Sequence, residues 1–289
     1  MARSIVVFAE NAGQGKTILA VGLAERLQNA GHDILLVRVG DADDRAAAAD
    51  AAFFGTLSYG AGDTHLGLTQ AASMVGDLDG SVLVAEISPS LQPATASGKL
   101  DAIAVSANKP SEATRAQLGD KYRGWVSFAE DDSSALAVVP EDPILMAPVI
   151  QEALAALPRE ASVRFLGEDR SELCELITIA PISHDTGRSY FALDGKSVTV
   201  CRDDKPELAL AALAGDTALL VVTGGDEPLG YVAERAGAAG IPLVITPEST
   251  VATVRRLEET FQRRPLRHAR QAKRAAALVA GIDLDSLLG

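Results

Sequence analysis

Apolar runs of five to seven residues recur through the first half of the chain: SIVVF (4–8), DILLVRV (33–39), SVLVAEI (81–87), DAIAVSA (101–107), GWVSFA (124–129) and ALAVV (135–139). The segments between them, such as KTILAVGLAERLQNAG and PILMAPVIQEALAAL, place apolar residues at i, i+3 and i+4, the spacing of helices packed on a sheet. Strands that are apolar throughout belong to sheets covered on both faces. The pattern therefore predicts a doubly wound parallel sheet. FFGTLSYGAGDTHLG (53–67), rich in Gly and Asp, reads as an irregular excursion. It is either a loop over a ligand site at the strand carboxyl ends or an ordinary surface loop.

A second series follows the helix that ends near Leu157. It runs ELITIAP (175–181), SYFAL (189–193), SVTVC (197–201), a helix over 206–214, TALLVVT (217–223), a helix over 228–239, IPLVIT (241–246) and a helix over 249–263. This predicts a mixed hairpin leading into two βα units, a smaller α/β domain joined at the polar stretch GEDRSE (167–172). The expected division is a first domain over 1–166, a second over 167–265 and a helical tail over 266–289.

Composition agrees with that picture. The 289 residues suffice for two domains, and a chain 47% apolar but 4% aromatic suits α/β layers better than a β-sandwich. A net charge of −13 argues against a general nucleic-acid or anionic-membrane binder, so any nucleotide is expected to be gripped locally. RRLEETFQRRPLRHARQAKR (255–274) runs against the trend with eight basic residues, as a solvated helix face or a binding surface. Cys174 and Cys201 stand in no metal or redox spacing and read as reduced structural cysteines. His32, His65, His184 and His268 are scattered, so no metal cage is expected. The short apolar run before Glu10 is no signal peptide and no run approaches a membrane span, which gives a soluble, cytoplasmic protein as the expectation.

Candidate chemistry lies in ENAGQGKT (10–17), between the first strand and the first helix. A triphosphate needs convergent backbone N–H groups, a cation reaching the outer phosphates and a hydroxyl for Mg²⁺. Asn11, Ala12, Gly13, Gln14 and Gly15 form the turn, Lys16 supplies the cation and Thr17 the hydroxyl, at the electropositive start of a helix. This predicts a P-loop NTPase-like domain binding ATP, or another nucleoside triphosphate, with Mg²⁺. The full Walker pattern has a further glycine five positions before Gly15, where this chain has Glu10. Glu86, closing the third strand, is placed to share the Mg²⁺ with Thr17; Asp41, Asp43 and Asp44 are alternatives or helix caps.

AENAGQGKTILAVGLAERL resembles the phosphate loop and first helix of dethiobiotin synthetase, whose loop also lacks the first Walker glycine. The chain is also similar to the dethiobiotin-synthetase-like N-terminal region of long bacterial phosphotransacetylases, through VVPEDPILMAPVIQEAL (138–154). HDTGRSYFAL (184–193), CRDDKPELALAAL (201–213), LLVVTGGDEP (219–228) and IPLVITPESTVATVRRLEE (241–259) resemble, in order, the DRTGG domain that follows it there. In those enzymes an acetyl-transferring domain comes next, whereas this chain stops at Gly289, so it is not expected to be a phosphotransacetylase by itself. Dethiobiotin synthetase ends its second strand in a lysine-proline pair at the substrate carboxylate; Arg38 stands there here, and is the expected ligand contact. The family's base-reading asparagine has no counterpart in WVSFAED (125–131), and Asn108 reads as a turn residue.

In the second domain TGGDEP (223–228) is a strand-to-helix turn or a second anion site, and HDTGR (184–188) a turn or a contact made by Asp185, Gly187 and Arg188. Ser249 reads as a helix N-cap. Nothing assembles a nucleophile with its base, and the catalytic residues stay unassigned. Three functions compete: a nucleotide-binding regulatory or scaffolding protein with at most slow NTPase activity, acting through self-association or a protein partner at the DRTGG-like domain; an ATP-dependent ligase or carboxylate-activating enzyme; and a chain that has lost the nucleotide and works by protein contacts alone.

Overall fold

In the computed structural model the described residues are 4–41, 43–57, 59–76, 78, 80–89, 100–128, 132–167, 169–180, 190–262 and 266–289. The chain forms two compact units, Met1–Glu141 with Ala269–Gly289, and Asp142–His268.

The first unit is built on seven parallel strands in the order β3-β2-β4-β1-β5-β6-β7: β1 (Ser4–Phe8), β2 (Ile34–Val39), β3 (Gly60–Leu66), β4 (Val82–Ile87), β5 (Ile103–Ala107), β6 (Tyr122–Ser127) and β7 (Ala137–Val138). Alternate residues of the central strands face opposite sides. Val6, Phe8, Val37, Val39, Ala85 and Ile87 join one core together with Ala71 of α3 (Leu68–Gly76) and Leu118 of α4 (Glu112–Leu118). α1 (Lys16–Asn29) packs along β1, β2 and β4, and α2 (Arg45–Phe54) along β2 and β3. The order reverses around β1, which lies between β4 and β5. Loops at the carboxyl ends of strands diverge at such a point, and ligands bind between them.

The second unit carries the order β8-β12-β11-β10-β9: β8 (Ser162–Phe165), β9 (Leu176–Ile179), β10 (Ser197–Arg202), β11 (Thr217–Thr223) and β12 (Leu243–Thr246). β9 to β12 pair parallel, and β8 pairs antiparallel with β12. α5 (Pro143–Met146) and α6 (Ile150–Ala156) lead into this unit. On one face of the sheet Val222 and Ile245 pack with Ala212 of α7 (Pro206–Leu213) and Val232 of α8 (Gly230–Ala239). On the other, Val200 and Val221 pack with Ile150 of α6 and Leu257 of α9 (Thr250–Phe261).

Four features differ from the sequence expectation. Residues 60–66, expected within an irregular excursion, form edge strand β3 against β2. A free strand edge offers a ladder that a Gly- and Asp-rich segment can join despite poor intrinsic propensity. The expected hairpin gives way to a parallel β9–β10 pair, and Tyr190 and Phe191 of the anticipated SYFAL strand lie in a turn. β8 falls on 162–165, ahead of the anticipated joint, in keeping with a unit boundary at 141/142 where 166/167 was expected. Finally, residues 269–289 are no separate tail: α10 (Ala269–Leu278) lies against α1, followed by α11 (Leu284–Leu288). Gly22 of α1 makes that approach possible, since a Cβ there would stand 3.0 Å from the Ala275 carbonyl oxygen. Arg26 Nη1 also donates to the carbonyls of Val279 and Ile282, each at 2.7 Å. Among the described residues no helix is long and apolar enough to cross a membrane.

Candidate functional site

β1 ends in mid-sheet at Phe8, and the chain turns through residues 9–15 into α1. Gly13 (φ +74°) and Gly15 (φ +85°) adopt the left-handed backbone that glycine tolerates best. A Cβ at Gly13 would meet nothing, whereas one at Gly15 would lie 2.7 Å from the Phe128 ring. The loop folds on itself where the Asn11 amide donates to Gln14 Oε1 at 3.0 Å, and Asn11 and Ala12 are exposed. Gly15 caps α1 without a side-chain hydrogen bond, leaving the first helical amides to another acceptor, as anion sites require.

Glu10, in the place of the missing glycine, is committed elsewhere. Its Oε1 accepts from Thr114 Oγ1 at 2.6 Å and from the Ser111 amide at 3.0 Å, at the start of α4. These hydrogen bonds hold its carboxyl below the usual value.

Beneath the loop, charged residues from four elements meet. Lys16, 6% exposed, has its ammonium held below the ordinary lysine value by burial, with the Glu86 charge opposing that shift. Thr17 Oγ1 donates to Glu86 Oε1 at 3.1 Å. Arg38 Nε lies 3.6 Å from the same oxygen and 3.8 Å from Asp50 Oδ2, and Arg38 Nη1 donates to the carbonyls of Val39 and Glu86. Strand register explains the meeting, because Glu86 of β4 stands opposite Arg38 of β2 on one side and Val7 of β1 on the other. Burial raises the Glu86 carboxyl to about 7 even with Arg38 beside it. Glu86 Oε2 and Arg38 Nε are buried with no hydrogen-bond partner among the described residues.

The donor set fits a hard cation. A hydroxyl and a carboxylate stand side by side, and one buried carboxylate oxygen has no partner, which suits Mg²⁺ held through few protein oxygens and completed by water and phosphate. Thr17 and Glu86 are the residues that would hold it. Bound there, Mg²⁺ would neutralise charge on the outer phosphates. The nearby aspartates are placed otherwise: Asp44 Oδ1 caps α2 by accepting from the amides of Ala46 and Ala47, and Asp41 and Asp43 are exposed.

Asn108 carries a role not read from the sequence. It has φ +68°, the positive-φ non-glycine residue among those described. Its Nδ2 donates to the Gln14 carbonyl at 3.3 Å, and its Oδ1 accepts from the Phe128 amide at 3.2 Å. One amide thus ties the loop between β1 and α1 to the loop after β6. An asparagine after a strand, able to adopt the left-handed region, was the available signal.

In the second unit two amides of TGGDEP are used internally. The Gly224 amide donates to the Glu248 carbonyl and the Asp226 amide to Asp203 Oδ2, while Arg164 pairs with Glu227. With Asp203 packed against Gly224, the loop has the features of a strand-to-helix turn. Ser249 Oγ accepts from the Ala252 amide as the N-cap of α9. Asp185, Gly187 and Arg188 lie outside the described residues.

Among solved structures, the chain is similar to the crystal structure of the CBS and DRTGG domains of the regulatory region of Clostridium perfringens pyrophosphatase, complexed with an activator, diadenosine tetraphosphate. Identity is 16% and the TM-score 0.34, over 44% of this chain and 55% of that one, little more than half its length. The family model that matches is that of the DRTGG domain, over residues 159–260, and this chain accordingly carries a DRTGG domain within its second unit.

Proposed function

We propose that the first unit binds a nucleoside triphosphate with Mg²⁺ and that the bound state regulates, through the DRTGG-bearing unit, self-association or contact with a protein partner. The observation that carries the nucleotide reading is the conjunction at one strand end of a glycine turn, an uncapped helix start, Lys16, and the Thr17–Glu86 pair. In this reading Asn11 to Gly15 enclose the phosphates, Lys16 meets the outer ones, and Thr17 and Glu86 hold the metal. Arg38 acts from behind, as the buried counter-charge that keeps Glu86 in place.

That use of Arg38 separates the regulatory reading from the ligase. A residue 4% exposed, engaged with Glu86, Asp50 and two carbonyls, has little left for an acidic substrate. This reading expects at most slow hydrolysis.

A ligand at a hundred times its dissociation constant adds about 2.7 kcal/mol of apparent stability. Mg-ATP or Mg-GTP should therefore raise the melting temperature of the wild type and leave Lys16→Ala unmoved. No shift in either protein would leave only the protein-contact reading. Rapid ADP release that depends on an added carboxylic acid would replace regulation by ligation.

A further inference from the structure

The phosphate loop abuts an aromatic side chain that the nucleotide's phosphates do not need. Phe128 follows β6, is half-buried, and presses its ring on Gly15, the last residue before α1. Its position is fixed by Asn108, which holds the Phe128 amide with one end of its carboxamide and the Gln14 carbonyl with the other. The loop carrying Asn108 is anchored a second time, where Lys109 Nζ sits 5.5 Å above the Trp125 ring and 3.4 Å from Asp132 Oδ2. Asn108 makes these bonds from a left-handed backbone, a conformation that asparagine enters more readily than other residues with a Cβ.

We infer that Phe128 is the nucleobase wall of the phosphate site and that Asn108 is the positioning residue that fixes it to the phosphate loop, so that the ligand is a nucleoside polyphosphate rather than bare polyphosphate. The inference rests on the nucleotide reading above and extends it to the ring-bearing end of the ligand. An aromatic ring offers a π face on which any base can stack, and a wall tied to Gln14 keeps a constant distance from the turn that holds the phosphates. Flexible loops would have to be ordered at each binding event, at a cost in affinity.

The test is calorimetric titration of the full chain with Mg-ATP and, separately, with magnesium tripolyphosphate. Stacking of one base predicts a preference of about tenfold for Mg-ATP in the wild type. Phe128→Leu keeps the apolar volume but removes the π face; it should lose that preference, read as the ratio of the variant's own two affinities. Asn108→Gly keeps the left-handed backbone without strain but deletes both bonds; it too should lose the preference. Equal wild-type affinities for the two ligands, or a preference retained in either variant, would overturn the inference while leaving the phosphate seat standing. A folded wild type that binds neither ligand would overturn both.

Discussion

Glu86 concentrates the electrostatic tension of the first unit. It is 1% exposed, and burial raises its carboxyl from 4.5 to about 7. Below pH 4.5 the group is protonated whether the chain is folded or not, and it costs nothing. Between about 4.5 and 7 the folded state holds a proton that the unfolded state releases, so stability falls as pH rises through that window. Above 7 the cost is complete. Glu86→Gln should thus gain melting temperature relative to wild type as pH goes from 5 to 8 and should weaken Mg²⁺-dependent nucleotide binding; a difference in melting temperature that is flat across pH would contradict the assignment. Lys16 belongs to the same balance, since burial disfavours its charge and a bound phosphate would restore it.

At the scale of elements, the α1–α10 contact decides whether residues 269–289 serve the first unit. Helices approach this closely only where a small residue faces the partner, and Gly22 meets the backbone of Ala275 and the side chain of Val279. Gly22→Leu improves intrinsic helix propensity by up to about 1 kcal/mol. It also overpacks the contact, at a cost of about 1–3 kcal/mol with larger values reachable against backbone. A lower urea midpoint is expected, and an unchanged one would show the contact to be loose. The buried face of α10, with Gln271, Ala272 and Ala275, also bears on the last part of the basic stretch: Arg270, Lys273 and Arg274 of this helix are exposed. Elements with continuous apolar character, such as β1, β4 and β11, were legible to within a residue. The edge strands β3 and β8 were not, because an edge asks for little apolar burial and takes its hydrogen bonds from a neighbour distant in sequence.

For the molecule as a whole, a regulatory reading requires that nucleotide at residues 11–17 be felt within residues 159–260. Coupling of that kind is a free energy shared between sites. Hydrogen exchange on the full chain, with and without Mg-ATP, should show protection at the phosphate loop and a change in the DRTGG domain. Sedimentation in the same conditions should change in parallel if self-association is the output. Protection confined to the first unit, with unchanged sedimentation, would remove the regulatory role and leave nucleotide binding alone. The sequence order makes some link between the units unavoidable, because Asp142–His268 interrupts the first unit and both of its ends return to it.

What the sequence determined by itself was local: apolar runs long enough to be buried strands, helical spacing between them, and a glycine turn with Lys16 and Thr17 at a strand-to-helix junction. Backbone preference and burial act over a few residues, so a linear reading captures them. Only the tertiary structure decided what each polar side chain is for. Glu10 accepts from the Ser111 amide about a hundred residues later, Arg38 turns to Glu86 across the sheet, and Asn108 reaches back 94 positions to Gln14. Such partners are chosen by strand order and register, which bring distant residues within 3–4 Å and leave no periodic trace along the chain.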